Sequence, residues 1–201
     1  MNSCVHLTER QVLPRGIDHG VDLARLGALK SEDEEVFTLV LDFKDAFMFI
    51  PLRESEQRFN CAHTGFELSR ARPALIDNEV ASGNFVVWRT LGFGGRPTPL
   101  VCSRVASFAA RTAQALLGQD TVEQHPSDVA PGRIQLYVDD PITSVKATEQ
   151  AAQEAFDIVI LWWLALGIPL SWKKGSLARG SETHRWIGID YTLTDAGAVK
   201  R

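Results

Sequence analysis

Cysteine is scarce in this chain. Cys4, Cys61 and Cys102 stand far apart, with no CxxC and no cysteine–histidine pairing. That argues against a disulfide framework and a zinc site, and suits a reducing compartment. Long hydrophobic runs are missing too. The longest, IVILWWLAL at 158–166, falls far short of the roughly 20 residues that cross a bilayer, so it reads as a buried helix and no membrane partner is expected. Positive charge is not in excess. The formal net charge of −4 gives no general basic coat, and a nucleic-acid enzyme would need its cations gathered in a groove. The N-terminus lacks the charged-then-apolar layout of a signal peptide, so the expected location is intracellular, cytoplasmic or nuclear. Repeats and low-complexity segments are absent.

What is present suits a soluble, globular chain. Its 201 residues are 45% hydrophobic and 23% charged, enough for a core of ordinary size. A short helical stretch, VDLARLGALK, precedes the first strand, which is predicted over Val36 to Leu41. DAFMFI then predicts a short turn of helix ending at Pro51. Arg58 to His63 and Asn84 to Thr90 predict two more strands, separated by an insertion at about 66–83. LGFGGRPTP leads into a helix from about Leu100 to Leu117. A hairpin follows, RIQLYV and PITSV joined at VDD, then an apolar helix from Thr148 to Leu166 with Gly167 as its stop. The basic loop SWKKGSLARG and a final strand, HRWIGIDYTL, complete the order. It predicts an α+β fold: an antiparallel sheet backed by two helices.

Two acidic motifs carry the chemistry. LDFKDAF holds Asp42, and YVDD holds Asp139 and Asp140. Each ends an apolar strand, where a carboxylate is costly unless a cation neutralises it. Three carboxylates without histidine suit Mg²⁺ better than zinc. A pair of such ions stabilises the entering and leaving oxygens of a phosphoryl transfer. The motifs lie 97 residues apart, so only folding could join them. A lone VDD reads more readily as an exposed acidic turn than as a catalytic one.

Five segments in order resemble the palm of reverse transcriptases, especially those of gypsy- and DIRS-like retrotransposons. LDFKDAF with IPL after it is similar to the first catalytic motif, and LGFGGRPTP to the glycine–proline motif before the long helix. YVDD resembles the catalytic turn, LGIPLSWKKGS the glycine–lysine segment and RWIGID the small hairpin. The resemblance implies a palm at 36–191, partial fingers or an N-terminal extension at 1–35, and a C-terminal tail at 192–201. It implies an RNA-directed DNA polymerase that uses two Mg²⁺ ions, with Mn²⁺ as an alternative. Its partners would be an RNA or DNA template with its primer, and deoxynucleoside triphosphates.

Residue roles carry over in the same way. Asp42 and Asp139 correspond to the principal metal ligands. Asp140 lies beside them, nearer to a supporting role, and the Phe43 carbonyl is a further metal contact. Phe47 stands where a bulky ring leaves no room for a 2′-hydroxyl and so favours DNA synthesis; its plainer reading is core packing. Phe93, Gly94 and Arg96 fall where the family contacts nucleotide and template, the alternative being a structural loop. Tyr137 corresponds to a residue near the primer end, or is an ordinary strand aromatic. Either Lys173 or Lys174 would protonate the pyrophosphate leaving group or meet its charge, the alternative being a solvated basic loop. Asp45 is expected as a helix N-cap or surface charge, and Trp162 and Trp163 as packing residues. His63 and His125 have no partner constellation.

Pro141 departs from the family, which has an aliphatic residue after the turn more often. Proline removes a ladder hydrogen bond, so the second hairpin strand is expected to begin as an edge or a bulge. No thumb, ribonuclease H or integrase segment is legible, so the expectation is a palm-centred piece of a larger protein, with weak activity or none alone. The competing hypotheses are an inactive relic or domesticated palm that binds nucleic acid or a protein, and an RNA-templated RNA polymerase, which Phe47 opposes.

Overall fold

The alternation of bulky and β-branched residues after the acidic turn SEDEE forms β1 (Glu35–Val40), a strand with buried residues on both faces. Coverage on both sides explains why Val36, Phe37, Leu39 and Val40 supply apolar side chains to both faces instead of alternating strictly with polar ones. The computed structural model describes residues 12–63, 85–92, 97–118, 132–194 and 199–200. The chain divides into two compact units, one built on Phe47–Thr98 with Met1–Val5, the other on His6–Ala46 with Pro99–Arg201.

In the larger unit, β4 (Gly132–Tyr137), β5 (Asp140–Ala147), β1 and β6 (Ser176–Arg179) form a four-stranded antiparallel sheet in the order β4-β5-β1-β6. On one face lie α3 (Thr98–Leu116) and α4 (Glu149–Ala165). The two helices are joined by the Trp163 indole, which donates to the Ala109 carbonyl at 3.3 Å, and by Trp162, which donates to the Thr112 hydroxyl at 2.8 Å. Both tryptophans are therefore packing residues, Trp163 wholly buried. Thr148 caps α4 by accepting from the Ala151 amide, and Gly167 ends it at φ +75°.

The other face is covered by α1 (Gly16–Ala28) and by β7 (His184–Trp186) and β8 (Ile189–Leu193), with β9 (Val199–Lys200) beyond β8. Leu23, Leu26, Val36, Val40, Ile142, Trp186, Tyr191 and Leu193 form one core there. The expected α+β architecture, an antiparallel sheet backed by two helices, is what the chain adopts.

The smaller unit holds α2 (Glu54–Gln57) and a paired β2 (Cys61–His63) and β3 (Phe85–Val87). A further bridge pairs Pro51 with Thr90. Both strands are shorter than predicted. The insertion at about 66–83 lies outside the described residues.

Several local expectations give way. DAFMFI forms turns and no helix, because Phe43 and Pro51 are each held in an antiparallel bridge that leaves too few residues to nucleate one. Asp45 is accordingly no N-cap; it sits in that turn at φ 53°. HRWIGIDYTL is no single strand but the hairpin that the resemblance of RWIGID implied, turning at Ile187 (φ 45°) and Gly188 (φ +80°). Part of the expected basic loop is strand β6, which β1 recruits by pairing. Pro141 makes neither an edge nor a bulge. It is fully buried near the start of β5, a central strand, in register with Leu136.

Candidate active site

The pairing of β1 with β5 runs Val40 against Ile142 at its last step. Two hydrogen bonds carry it further: Leu41 N–H to the Pro141 carbonyl at 3.0 Å and Phe43 N–H to the Asp139 carbonyl at 2.9 Å. Asp42 therefore lies opposite Asp140, in the position between hydrogen-bonded pairs where facing Cα atoms are closest, about 4.5 Å. Two motifs remote in sequence become next neighbours through a strand register. At the Leu41–Pro141 pair the Pro141 carbonyl accepts, but its nitrogen carries no hydrogen to donate, so the ladder is halved there.

The loop after α4 closes the other side of Asp42. Lys44 N–H donates to the Pro169 carbonyl and Ser171 N–H to the Asp42 carbonyl, both at 2.8 Å. A 3₁₀ turn, Trp172–Lys174, then brings the Lys174 ammonium to 2.7 Å from Asp42 Oδ1. Asp42 is buried at 7% exposure. Of the two lysines, Lys174 faces the carboxylates and Lys173 is exposed without such a contact.

Electrostatics of this tip are uneven. Burial, then the neighbouring Asp139 and Asp42 charges, push Asp140 up to about 6, with Lys174 opposing. Asp139 is raised by burial and by Asp42, while its own amide and Lys174 pull it back. The Lys174 ammonium is held charged by its bond to Asp42. Cys102, buried in α3, is pushed up to about 11 by burial and by Asp139, so it is an inert thiol.

The turn itself is strained. Val138 occupies φ 58°, a left-handed conformation that a β-branched residue rarely adopts. Such a residue costs on the order of 1–2 kcal/mol and marks functional turns more than structural ones. Tyr137 ends β4 opposite Asp140 and is exposed. Phe43 is core: its ring meets Trp163 edge-on at 5.2 Å. Phe47 is half-buried in the smaller unit. Phe93, Gly94 and Arg96 fall outside the described residues, as does His125. His63 packs edge-on against Phe85.

Among the described residues, no three His, Cys, Asp or Glu side chains are grouped closely enough to hold an ion as they lie. The donor set nevertheless fits a hard divalent cation. It is all carboxylate, it carries surplus negative charge, and Lys174, the cation seen on it among the described residues, occupies the place of a counter-ion on Asp42. One contact escaped sequence reasoning: the Trp186 indole N–H donates to the Asp140 carbonyl at 3.0 Å. Its only signal was the position of the tryptophan in RWIGID.

A family model described as reverse transcriptase (RNA-dependent DNA polymerase) matches residues 3–191. The chain belongs to the reverse transcriptase family. The acidic hairpin tip beside a carboxylate-bearing strand, on a sheet backed by two helices, is the palm of this reverse transcriptase domain. Members of this family are in general nucleotidyltransferases of the RNA-directed DNA polymerase class, which use template, primer, deoxynucleoside triphosphates and divalent metal. A comparison with curated proteins returned no match.

Proposed function

We propose that this reverse transcriptase domain comes from a retroelement, of the gypsy- or DIRS-like kind, and extends a primer 3′-hydroxyl with deoxynucleotides by a two-metal reaction. The observation that carries the reading is the register that seats Asp42 opposite Asp140 and ties Phe43 to Asp139. Asp42, Asp139 and Asp140 would hold the ions, with the Phe43 carbonyl as a further contact. Two bound Mg²⁺ ions, or Mn²⁺, would supply charge neutralisation at the entering and leaving oxygens.

The chain's own groups do the rest. The Lys174 ammonium is exposed on its outer side, so it can leave Asp42 and meet a departing pyrophosphate. Tyr137, exposed at the end of β4, would contact the primer end. Phe47 would exclude a ribose 2′-hydroxyl, and Phe93, Gly94 and Arg96 would contact nucleotide and template. The domain division expected from the sequence, fingers remnant, palm and tail, and an intracellular location belong to the same reading.

Primer extension on an RNA template with Mg²⁺ tests it. Asp139→Asn should abolish incorporation, a loss of at least about 10²-fold for a group acting at the reacting charge. Undiminished incorporation in that variant would refute the assignment.

A further inference from the structure

We infer that Trp186 is a positioning residue that fixes where the Asp140 carboxylate stands, acting through the backbone of the turn. The inference rests on the functional reading above. Three consecutive carbonyls at the tip are each held by a donor. Asp139 accepts from Phe43 N–H at 2.9 Å and Pro141 from Leu41 N–H at 3.0 Å. The one between them, on Asp140, accepts from the Trp186 indole at 3.0 Å. The outer two bind the turn to the strand bearing Asp42, and Trp186 binds it to the β7–β8 hairpin.

Proline makes this contact matter. The peptide joining Asp140 to Pro141 has no N–H, so its plane can be gripped only through its oxygen. Asp140 also sits opposite Asp42 and beside Asp139, and repulsion among the three carboxylates favours any rotation that carries its side chain outward. The neighbouring Val138, at φ 58°, adds strain that the surroundings must hold.

Trp186 is built to resist such rotation. It is 2% exposed, and the hairpin turn at Ile187 and Gly188 starts immediately after it. His19 lies edge-on to its ring at 5.4 Å and hydrogen-bonds His184 at 2.9 Å. Tyr191 stacks on His184 and donates to the Gly16 carbonyl at 3.0 Å. The indole is thus fixed by α1 and β8 together, and its N–H presents a rigid donor to the turn.

The test uses the whole chain and Mn²⁺ as probe, with binding read by calorimetry and single-nucleotide extension read alongside. Trp186→Phe keeps the ring and removes the donor. Benzothienylalanine at position 186 does the same with the indole's shape preserved, in case the phenylalanine variant fails to fold. Either change should weaken Mn²⁺ binding and lower kcat by about ten- to hundredfold, the scale of lost partners behind metal ligands. Primer–template affinity should stay unchanged. In an Asp140→Asn background the same replacement should have no further effect on Mn²⁺ affinity, because the two act as one unit. Wild-type Mn²⁺ affinity in both variants, or a full additive loss in the Asp140→Asn background, would overturn the inference and leave the functional reading standing. A wild-type chain that binds no Mn²⁺, unaltered by Asp139→Asn, would overturn both.

Discussion

At the tip of the β4–β5 hairpin, three carboxylates share a partly exposed site with the Lys174 ammonium; behind the sheet, His19 and His184 share one hydrogen bond in the core. Both clusters crowd like groups together, and each resolves the conflict differently. The imidazoles surrender their charge: burial, and for His19 also its partner, hold them down at about 3 and about 4. Asp139 and Asp140 stay partly open to solvent, where a cation can reach them. Crowding that water cannot relieve yields neutral structural groups, and crowding at a surface yields a site with charge still to be met.

Acidification should give the largest effect. Above the ordinary histidine value of 6.5 both imidazoles are neutral, folded or unfolded. As pH falls below it the unfolded chain takes up protons that the folded core refuses. Stability is then lost at about 1.4 kcal/mol per pH unit for each imidazole, down to roughly pH 4. Urea unfolding at pH 7, 6 and 5 checks this, and His184→Phe should flatten the slope. An unchanged midpoint across that range would break the comparison from the histidine side.

Metal should act on the other cluster alone. Mg²⁺ at a hundred times its dissociation constant should raise stability by about 2.7 kcal/mol, and Asp42→Asn should erase that gain in a thermal melt while leaving the acid response intact. Asp140→Asn should come next. Its carboxyl is raised in the folded state, so its charge opposes folding at neutral pH, and the penalty fades as pH falls through about 6. Removing it should stabilise the metal-free chain by on the order of 1 kcal/mol after allowance for solvent screening. It should also steepen the acid loss, because the carboxylate and the imidazoles pull in opposite directions over the same pH window. Lys174→Met should have the smallest effect on the melting midpoint, its side chain being largely exposed, yet Mn²⁺ should bind more tightly once the competing ammonium is gone.

Much of the fold was legible because it follows from local chemistry. The buried strand at Val36 to Leu41, the Thr148 to Leu166 helix with its Gly167 stop and the two-residue turn at VDD each announce themselves by period, cap or composition. Errors fell where partners far along the chain decide. SWKKGSLARG looks like a loop until β1 offers it an edge to pair with. DAFMFI has helix-compatible residues, but bridges to Leu170 and Thr90 stretch its flanks. Pro141 reads as an edge signal, yet its buried ring sits in a central strand that loses one ladder bond and keeps the other.

For this protein the sequence by itself determined the element types, the acidic chemistry and the family, since each depends on residues adjacent in the chain. Tertiary structure alone decided which lysine meets Asp42, that Trp186 holds the Asp140 carbonyl, and that two distant histidines are buried together and held uncharged. Those depend on strand register and on which faces are buried, and no short stretch of residues encodes either.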